Sequence, residues 1–229
     1  MCSSDLIIFE IFEISLLSVK IAVFSCILSL PFAIPLAWFF ARGKSKVLSM
    51  MESFILIPMV LPPSASGLML LYLLSPNSSI GQFLETQFGI SLLLSWQAAV
   101  CAAAFVSFPL LFKTVEQAFS SIPRELEDAA KTFGARPLQV FFRISLPLAK
   151  RGIIQGCILS ISRSLGEFGA TIIVAGNIPG RTQTLSLAIY SEILAGNEDK
   201  AWILATTSTC FAFGLLILGK INVGKQAET

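Results

Sequence analysis

Four long stretches of the chain contain only uncharged, mostly apolar residues. They are Ile21–Phe40, Ser53–Ser75, Ile90–Phe112 and Ala201–Gly219. A helix needs about 20 such residues to cross the hydrocarbon core of a bilayer. A fifth stretch, Gly152–Gly176, has the same length but contains Arg163 and Glu167, so it predicts a span with a polar feature inside it. The pattern predicts an all-α polytopic membrane protein with about five transmembrane helices.

The segment before the first span, Leu6–Lys20, is apolar except for Glu10, Glu13 and two serines. It is either an interfacial segment, residues 1–20, that leads into the span, or the outer end of a longer first span. The helical period fits both readings. The chain has no Lys or Arg before Lys20, so it lacks the basic region of a cleavable signal peptide, and we expect this segment to be retained.

Basic residues alternate from loop to loop. Three follow the first span, none lies in 76–89, seven lie in Lys113–Arg151, and only Arg181 and Lys200 separate the last two spans. Lys and Arg are enriched in cytoplasmic loops. The alternation therefore predicts an outside N-terminus, a cytoplasmic segment 113–151 and a cytoplasmic tail, residues 220–229, after the transmembrane domain of residues 21–219.

Composition excludes several classes of function. The 229 residues are 55% hydrophobic and 13% charged, and 16 basic against 14 acidic residues give a net charge of +2, far from the basic excess of a nucleic-acid-binding domain. Histidine is absent, which removes the commonest general base and metal ligand. The five cysteines are scattered and are typical of small buried apolar residues. We expect no catalytic residue and no metal site.

One cytoplasmic segment, Ser121–Gly134, has the features of a short helix. Pro123 opens it, acidic residues lie early and Lys131 late, and Gly134 follows its end. Four apolar residues form one stripe on this helix: Leu126, Ala129, Ala130 and Phe133. The stripe needs either a partner surface or, as the alternative, the protein's own bundle to cover it.

A second helical stretch, Leu138–Leu146, is predicted to end at Pro147, where the chain re-enters the bilayer. Gly134 would set the angle between the two helices. Together they form one bent cytoplasmic loop, residues 121–147.

Spans two and four carry the remaining polar and proline features. In span four, small residues recur every fourth position and predict a close helix contact: Gly152, Gly156, Ser160 and Ser164. Arg163 and Glu167 can pair at i, i+4, either as a structural ion pair or as part of a path. Pro62 and Pro63 interrupt span two, as a packed kink or as pathway lining, with Ser64 beside them.

The string Asp128-Ala-Ala-Lys-Thr-Phe-Gly134, followed after nine residues by Ile144-Ser-Leu146-Pro147, resembles the EAA loop of ABC importer permeases. Asp128 stands where Glu is usual, with Glu127 beside it. The resemblance implies a type I importer fold and a coupling helix that docks on a separate ATPase subunit. It assigns the coupling role to Glu127, Asp128, Ala129, Ala130, Gly134, Ile144, Leu146 and Pro147. The chain has no phosphate-binding loop, so ATP and Mg²⁺ are expected in that partner.

Two further strings, Ser164–Ala170 and Ala175–Thr184, resemble molybdate permeases more closely than sulfate permeases; Leu61-Pro62-Pro63 and Ser18–Lys20 fit as well. This resemblance implies a homodimer in the bacterial inner membrane, surrounded by lipid, with two ATP-binding subunits and an external oxyanion-binding protein. The cargo would be molybdate or tungstate. The candidate pathway residues are Pro62, Pro63, Ser64, Ser162, Arg163, Ser164, Glu167 and Thr171.

Three alternatives stay open. A sulfate or thiosulfate permease would share most of these features. An ATP-independent channel or secondary transporter would need acidic groups inside the membrane for ion coupling, and only Glu167 qualifies. A membrane-embedded enzyme has little support, because the chain has no histidine, no paired carboxylates and no G-x-S-x-G motif.

Overall fold

The computed structural model describes residues 3–43, 45–88 and 92–224, and all regular elements in these ranges are helical. The helices of the first half are α1 (Ser3–Arg42), α2 (Lys46–Val60), α3 (Pro63–Leu74), α4 (Ser79–Phe88) and α5 (Trp96–Ser120). Those of the second half are α6 (Arg124–Thr132), α7 (Pro137–Val140), α8 (Leu146–Leu165), α9 (Gly169–Ala175), α10 (Leu185–Leu194) and α11 (Glu198–Gly224). Within these ranges, four helical runs are long and apolar enough to cross a membrane, or five if the bent pair α2–α3 forms one span.

Helix α1 runs without a break through Lys20. Its 40 residues correspond to about 60 Å at 1.5 Å per residue, roughly twice the thickness of a hydrocarbon core. The segment predicted to be either interfacial or part of the first span thus lies in the same continuous helix as that span. The Ser18 hydroxyl of α1 accepts a hydrogen bond from the backbone N–H of Leu185, at 2.8 Å, which fixes the start of α10 against α1.

Span two is divided into α2 and α3, which meet at an angle of 106°. Pro58 lies inside α2 and does not end it, whereas Pro62 and Pro63 start α3. Proline is favoured in the first turn of a helix, where its missing N–H has no intrahelical partner. The bend is therefore located at the paired prolines.

Helix α5 is the most deeply buried span, and it packs against α1 and α8. The predicted start of span three, residues 90–91, lies outside the described residues. Helix α5 begins at Trp96, where the Ser95 hydroxyl accepts a hydrogen bond from the N–H of Ala98. It continues to Ser120, beyond the predicted end of the span at Phe112, because lysine is compatible with a helix and only the apolar span ends there. The Lys113 ammonium pairs with the carboxylates of Glu52 and Glu116.

The predicted end of a helix at Pro147 is wrong. Helical structure continues from Pro137 to Leu165, with a π-helical turn at Phe141–Ser145. Pro147 occupies the first turn of α8, directly after this wide turn. In this turn the N–H of Leu146 donates to the carbonyl of Phe141, five residues earlier. Such an irregular turn accommodates a following proline, which has no N–H to donate, so the helix continues without a break.

The stripe of small residues on α8 makes the predicted close contact, and its partner is mainly α5. A Cβ atom at Gly152 would overlap the side chain of Ala118, and one at Gly156 would lie 3.2 Å from Leu111 and Val115. The hydroxyl of Ser160 donates to Ser107 of α5 at 3.2 Å. Span four then stops at Leu165 and resumes as α9.

The last span, α11, packs on α8 and α10 and is the most exposed of the four long helical runs. At its start, Lys200 pairs with Glu192 of α10 and Glu10 of α1. The described part of the helix extends to Gly224, inside the stretch predicted as a tail. Residues 225–229 of that tail lie outside the described residues.

Candidate functional site: a coupling helix and two interrupted spans

Helix α6 turns its charged side toward the rest of the protein and its apolar side away from it. The residues on its inward side include Arg124, Glu127, Asp128 and Lys131, which line a cavity against α1 and α7. On the opposite side, Phe133 is 92% exposed and Leu126 is 48% exposed. A water-soluble helix normally buries its apolar stripe against its own protein. This reversed arrangement leaves the apolar side open to a partner.

Glu127 anchors the helix to the membrane-spanning part. It is 3% exposed, and its carboxylate accepts two hydrogen bonds from the Arg42 guanidinium, at 2.8 and 2.5 Å, and one from the Ser145 hydroxyl at 2.6 Å. The remaining Arg42 nitrogen donates to the carbonyl of Phe119 at 2.8 Å. One carboxylate thus ties α6 to the C-terminal end of α1 and to the π turn, while the Arg42 guanidinium also reaches the end of α5.

The electrostatics favour the ionised form of this carboxylate. Burial acts to raise the pKa of Glu127, but the hydrogen bonds from Arg42 and Ser145 and the positive charge of Arg42 outweigh it, and the pKa lies below its ordinary value. Asp128 is exposed, and the hydrogen bond and charge of Lys131 lower its pKa as well. Both acids therefore carry negative charge at neutral pH.

The end of α6 is fixed by a Schellman motif. The N–H of Ala135 donates to the carbonyl of Ala130 at 3.0 Å, and the N–H of Gly134 donates to that of Lys131 at 2.9 Å. Gly134 has φ +85°, in the left-handed region that glycine adopts without cost. The turn between α6 and α7 thus has a defined geometry.

The predicted coupling residues divide into two groups. Asp128 and Ala129 are exposed on α6, and Ala130 is half-buried there. The others lie further along: Ile144 is in the π turn, and Leu146 and Pro147 begin α8. The second group connects α6 to span four and is not on the exposed side of α6.

The second part of the site is where the two interrupted spans meet. A Cβ atom at Gly169, the first residue of α9, would overlap the Pro63 side chain at the start of α3. One turn on, a Cβ atom at Gly67 would lie 3.0 Å from the Cα of Ala170. The break in span two and the break in span four are therefore side by side. Irregular backbone inside a membrane occurs where it is buried in protein or lines a water-filled cavity.

Arg163 and Glu167 lie at this break. The guanidinium of Arg163 is 3.0 Å from the Glu167 carboxylate, and the other carboxylate oxygen accepts a hydrogen bond from the backbone N–H of Ala170 at 3.1 Å. Glu167 is 3% exposed, whereas the Arg163 side chain is 39% exposed. The Glu167 carboxylate holds the start of α9 in place, and the Arg163 side chain remains partly accessible to solvent.

The hydroxyl residues predicted for the path occupy different environments. Ser64 is exposed, and Thr171 is buried in α9. Ser164 lies 3.0 Å from Ser25 of α1, so it belongs to a helix contact. The Ser162 hydroxyl is buried, and no hydrogen-bond partner is found for it among the described residues.

The residues that hold α6 are not evident from the sequence. Arg42 is 85 positions before Glu127, and in the sequence it is only one of several cytoplasmic charges. Ser145 has the x position in the Ile144-Ser-Leu146-Pro147 string, to which the resemblance assigns no role. No local pattern pairs these residues, because the contact forms only when α1 and the π turn approach α6.

Comparison with known proteins identifies the family of this chain. The family "Binding-protein-dependent transport system inner membrane component" matches residues 33–223. The chain belongs to this family. Its members are inner-membrane transport components, so the protein is a multi-pass, non-enzymatic permease subunit of the bacterial inner membrane.

Several named permeases are similar over most of their length. The molybdenum transport system permease protein ModB of Escherichia coli (strain K12) is 41% identical over 206 residues, 90% of each chain. ModB of Haemophilus influenzae is 45% identical over 177 residues, 77% of each chain. The sulfate transport system permease protein CysT of Salmonella typhimurium is 37% identical over 191 residues, covering 83% of this chain and 68% of its own.

The fold resembles solved ABC transporters. The MetNI methionine ABC transporter in inward-facing conformations has a chain that aligns with a TM-score of 0.71, 18% identity and coverage of 98% and 99% of the two chains. A bacterial alginate ABC transporter aligns with a TM-score of 0.70 and 16% identity, covering 91% and 76%. These likenesses confirm the expected type I ABC importer permease fold.

Proposed function

We propose that this chain is the permease subunit of an ATP-driven importer that moves molybdate into the cytoplasm. The observation that carries the cargo assignment is the greater identity to ModB proteins, 41% over 90% of both chains and 45% over 77%, than to CysT, 37%. Tungstate has the same shape and charge and is expected to share the path. Sulfate or thiosulfate is the alternative cargo.

The reversed amphipathic helix α6 supports docking of an ATPase subunit on this chain. Leu126 and Phe133 present an apolar surface that the described residues leave open. Aromatic side chains that enter a partner's pocket are typical of the residues that dominate binding energy. The ATPase subunit would supply the ATP and Mg²⁺ chemistry.

The Arg42–Glu127 clamp supports a role for α6 in passing motion to the bundle. A force on Phe133 reaches α1 and the π turn through Glu127, and reaches α8 because the π turn continues into it. The assembly proposed is a homodimer of this chain with two ATPase subunits and an external oxyanion-binding protein.

The junction of the two interrupted spans supports a path for the anion. The half-exposed Arg163 offers a positive charge that Glu167 partly neutralises, which permits brief contact with a dianion without trapping it. Pro62, Pro63 and Ser64 border the same break from α3. The orientation proposed has the N-terminus outside, which places α6 in the cytoplasm.

The test is uptake of trace molybdate by cells that lack this gene and by the same cells complemented with it. Uptake that returns on complementation and persists in excess sulfate supports the proposal. Uptake that sulfate abolishes moves the assignment to the sulfate class. A knockout with unchanged molybdate and sulfate uptake contradicts both cargoes.

A further inference from the structure

Two free cysteines lie together at the contact between α1 and α8. Cys26 belongs to α1 and is 3% exposed, and Cys157 belongs to α8 and is half-buried. The Cys26 sulfur is 4.0 Å from the carbonyl oxygen of Cys157, and the two thiols also interact through a side-chain hydrogen bond. The residues are 131 positions apart in the sequence, so only the packing of the two helices brings them together.

The two helices are close to each other at this level. The hydroxyl of Ser25, the chain neighbour of Cys26, is 3.0 Å from the hydroxyl of Ser164 in α8. The Ser160 side chain of α8 contacts the Cys26 thiol as well. Small side chains at a helix contact let the two backbones approach closely. A disulfide between two helices requires such a close approach.

The two thiols differ in accessibility. Cys157 is partly accessible, whereas Cys26 is buried beside it. An oxidant therefore reaches Cys157 first, and Cys26 is in place to react with the oxidised sulfur. Cys101 in α5 and Cys210 in α11 are also free, and no contact with a second thiol is found for either in the part of the chain that the structure describes.

We propose that Cys26 and Cys157 form a reversible disulfide when the protein meets a peroxide. Hydrogen peroxide transfers one oxygen to the Cys157 thiol, which becomes a sulfenic acid, and the peroxide leaves as water. The Cys26 sulfur then attacks the sulfenic sulfur, so that the S–S bond forms, the S–O bond breaks, and the hydroxyl leaves as water with the Cys26 proton. Two thiols and one peroxide thus give one disulfide and two waters. A thiol reductant reverses the reaction by exchange.

The disulfide would add a covalent bond to a contact that is otherwise non-covalent. Near α6, Glu127 already connects Arg42 of α1 to Ser145 of the π turn that precedes α8. The disulfide would join the same two helices at a second level. A cross-link between residues far apart in the sequence restricts the unfolded chain strongly, so the oxidised protein should be more resistant to heat.

The experiment treats the purified permease in lipid nanodiscs with hydrogen peroxide and maps the product by mass spectrometry. Wild type should lose the mass of two hydrogen atoms and yield a peptide pair linked through residues 26 and 157, and dithiothreitol should reverse both changes. Its Tm should rise by roughly 5–10 °C on oxidation.

Single substitutions test the pairing. Cys157→Ala should form no such linkage, and Cys26→Ala should instead gain oxygen on Cys157, because it lacks the second thiol. The matched controls are Cys101→Ala and Cys210→Ala, which remove cysteines outside the pair and should behave as wild type.

Two outcomes overturn the proposal. The first is the absence of the 26–157 linkage under conditions that oxidise Cys101 or Cys210. The second is a linkage that forms without a rise in Tm, because it then arises from unfolded chains and not from the native contact of α1 with α8. No arm measures transport, so either outcome leaves the proposed function intact.

Discussion

The structure gives Glu127 a different role from the one that the sequence predicts. The EAA resemblance assigned it to the surface that meets the ATPase, whereas the structure buries it against Arg42 and Ser145. Asp128, its neighbour, is the acid that remains exposed. We infer that Glu127 acts as a positioning residue for α6, and that Asp128 is available to a partner.

Removing the Glu127 charge should therefore destabilise the protein more than removing the Asp128 charge. Glu127→Gln leaves the largely buried Arg42 without its partner, which costs about 3 kcal/mol, equivalent to a decrease of roughly 6–12 °C in Tm for a chain of this size. Asp128→Asn is the matched control, and its Tm should stay within about 2 °C of wild type because its ion pair is exposed. Thermal unfolding in detergent measures both, and equal Tm values for the two variants contradict the clamp.

The clamp also predicts a pH dependence. The pKa of Glu127 is lower in the folded protein than its ordinary value of 4.5, so the ionised carboxylate stabilises the fold above that value. This stabilisation is lost as the pH falls through the lowered pKa. The Tm difference between wild type and Glu127→Gln should be constant from neutral pH down to about pH 5 and shrink only in stronger acid. A difference that already vanishes near neutral pH is inconsistent with this account.

At the scale of elements, the spans could be predicted from the sequence because apolar length is a local property. The close helix contact predicted for Gly152, Gly156 and Ser160 is confirmed, because small residues at every fourth position of a membrane helix let another helix approach closely. The helix end predicted at Pro147 was wrong because a π turn directly precedes this proline, and such an irregular turn accommodates a residue that has no N–H. The pairing of the two breaks could not be predicted, because it joins residues 63 and 169 through packing alone.

Gly134 and Gly180 offer a matched test of the coupling turn. Both have positive φ, +85° and +71°, and a Cβ atom added at either would meet nothing within 4 Å, so alanine is strained by backbone conformation alone. The strain costs about 1 kcal/mol or more. Gly134→Ala should reduce molybdate uptake about fivefold if the strain falls on the coupled step, and Gly134→Pro should abolish it, whereas Gly180→Ala should keep normal uptake. Normal uptake in Gly134→Pro contradicts the coupling role of the turn.

The junction of the interrupted spans gives a second test. Gly169→Ala places a methyl group against Pro63, and this overpacking should cost on the order of 1–3 kcal/mol and reduce transport as α3 and α9 separate. Gly214→Ala in α11 has open space and is the control. Uptake assays with equal amounts of membrane-inserted protein compare the two, and identical activity in both variants means that the junction tolerates separation.

At the scale of the whole molecule, orientation remains a prediction from the alternation of basic loops. Asn77 lies in the turn between α3 and α4, and Thr132 lies at the end of α6; both are exposed. A membrane-impermeant maleimide added to intact cells from the outside should label Asn77→Cys and not Thr132→Cys, with the unsubstituted protein as the blank. The reverse labelling pattern contradicts the proposed orientation and the cytoplasmic position of α6.

The central claim is that this chain forms the molybdate path of an ATP-driven importer. The most direct measurement is molybdate accumulation in proteoliposomes that contain the purified permease with its ATPase subunits, with ATP inside and the loaded oxyanion-binding protein outside. The account predicts accumulation that requires ATP and the binding protein, and that Gly134→Pro abolishes while ATP hydrolysis by the isolated ATPase persists. Accumulation without ATP, or none for molybdate while sulfate enters, contradicts it.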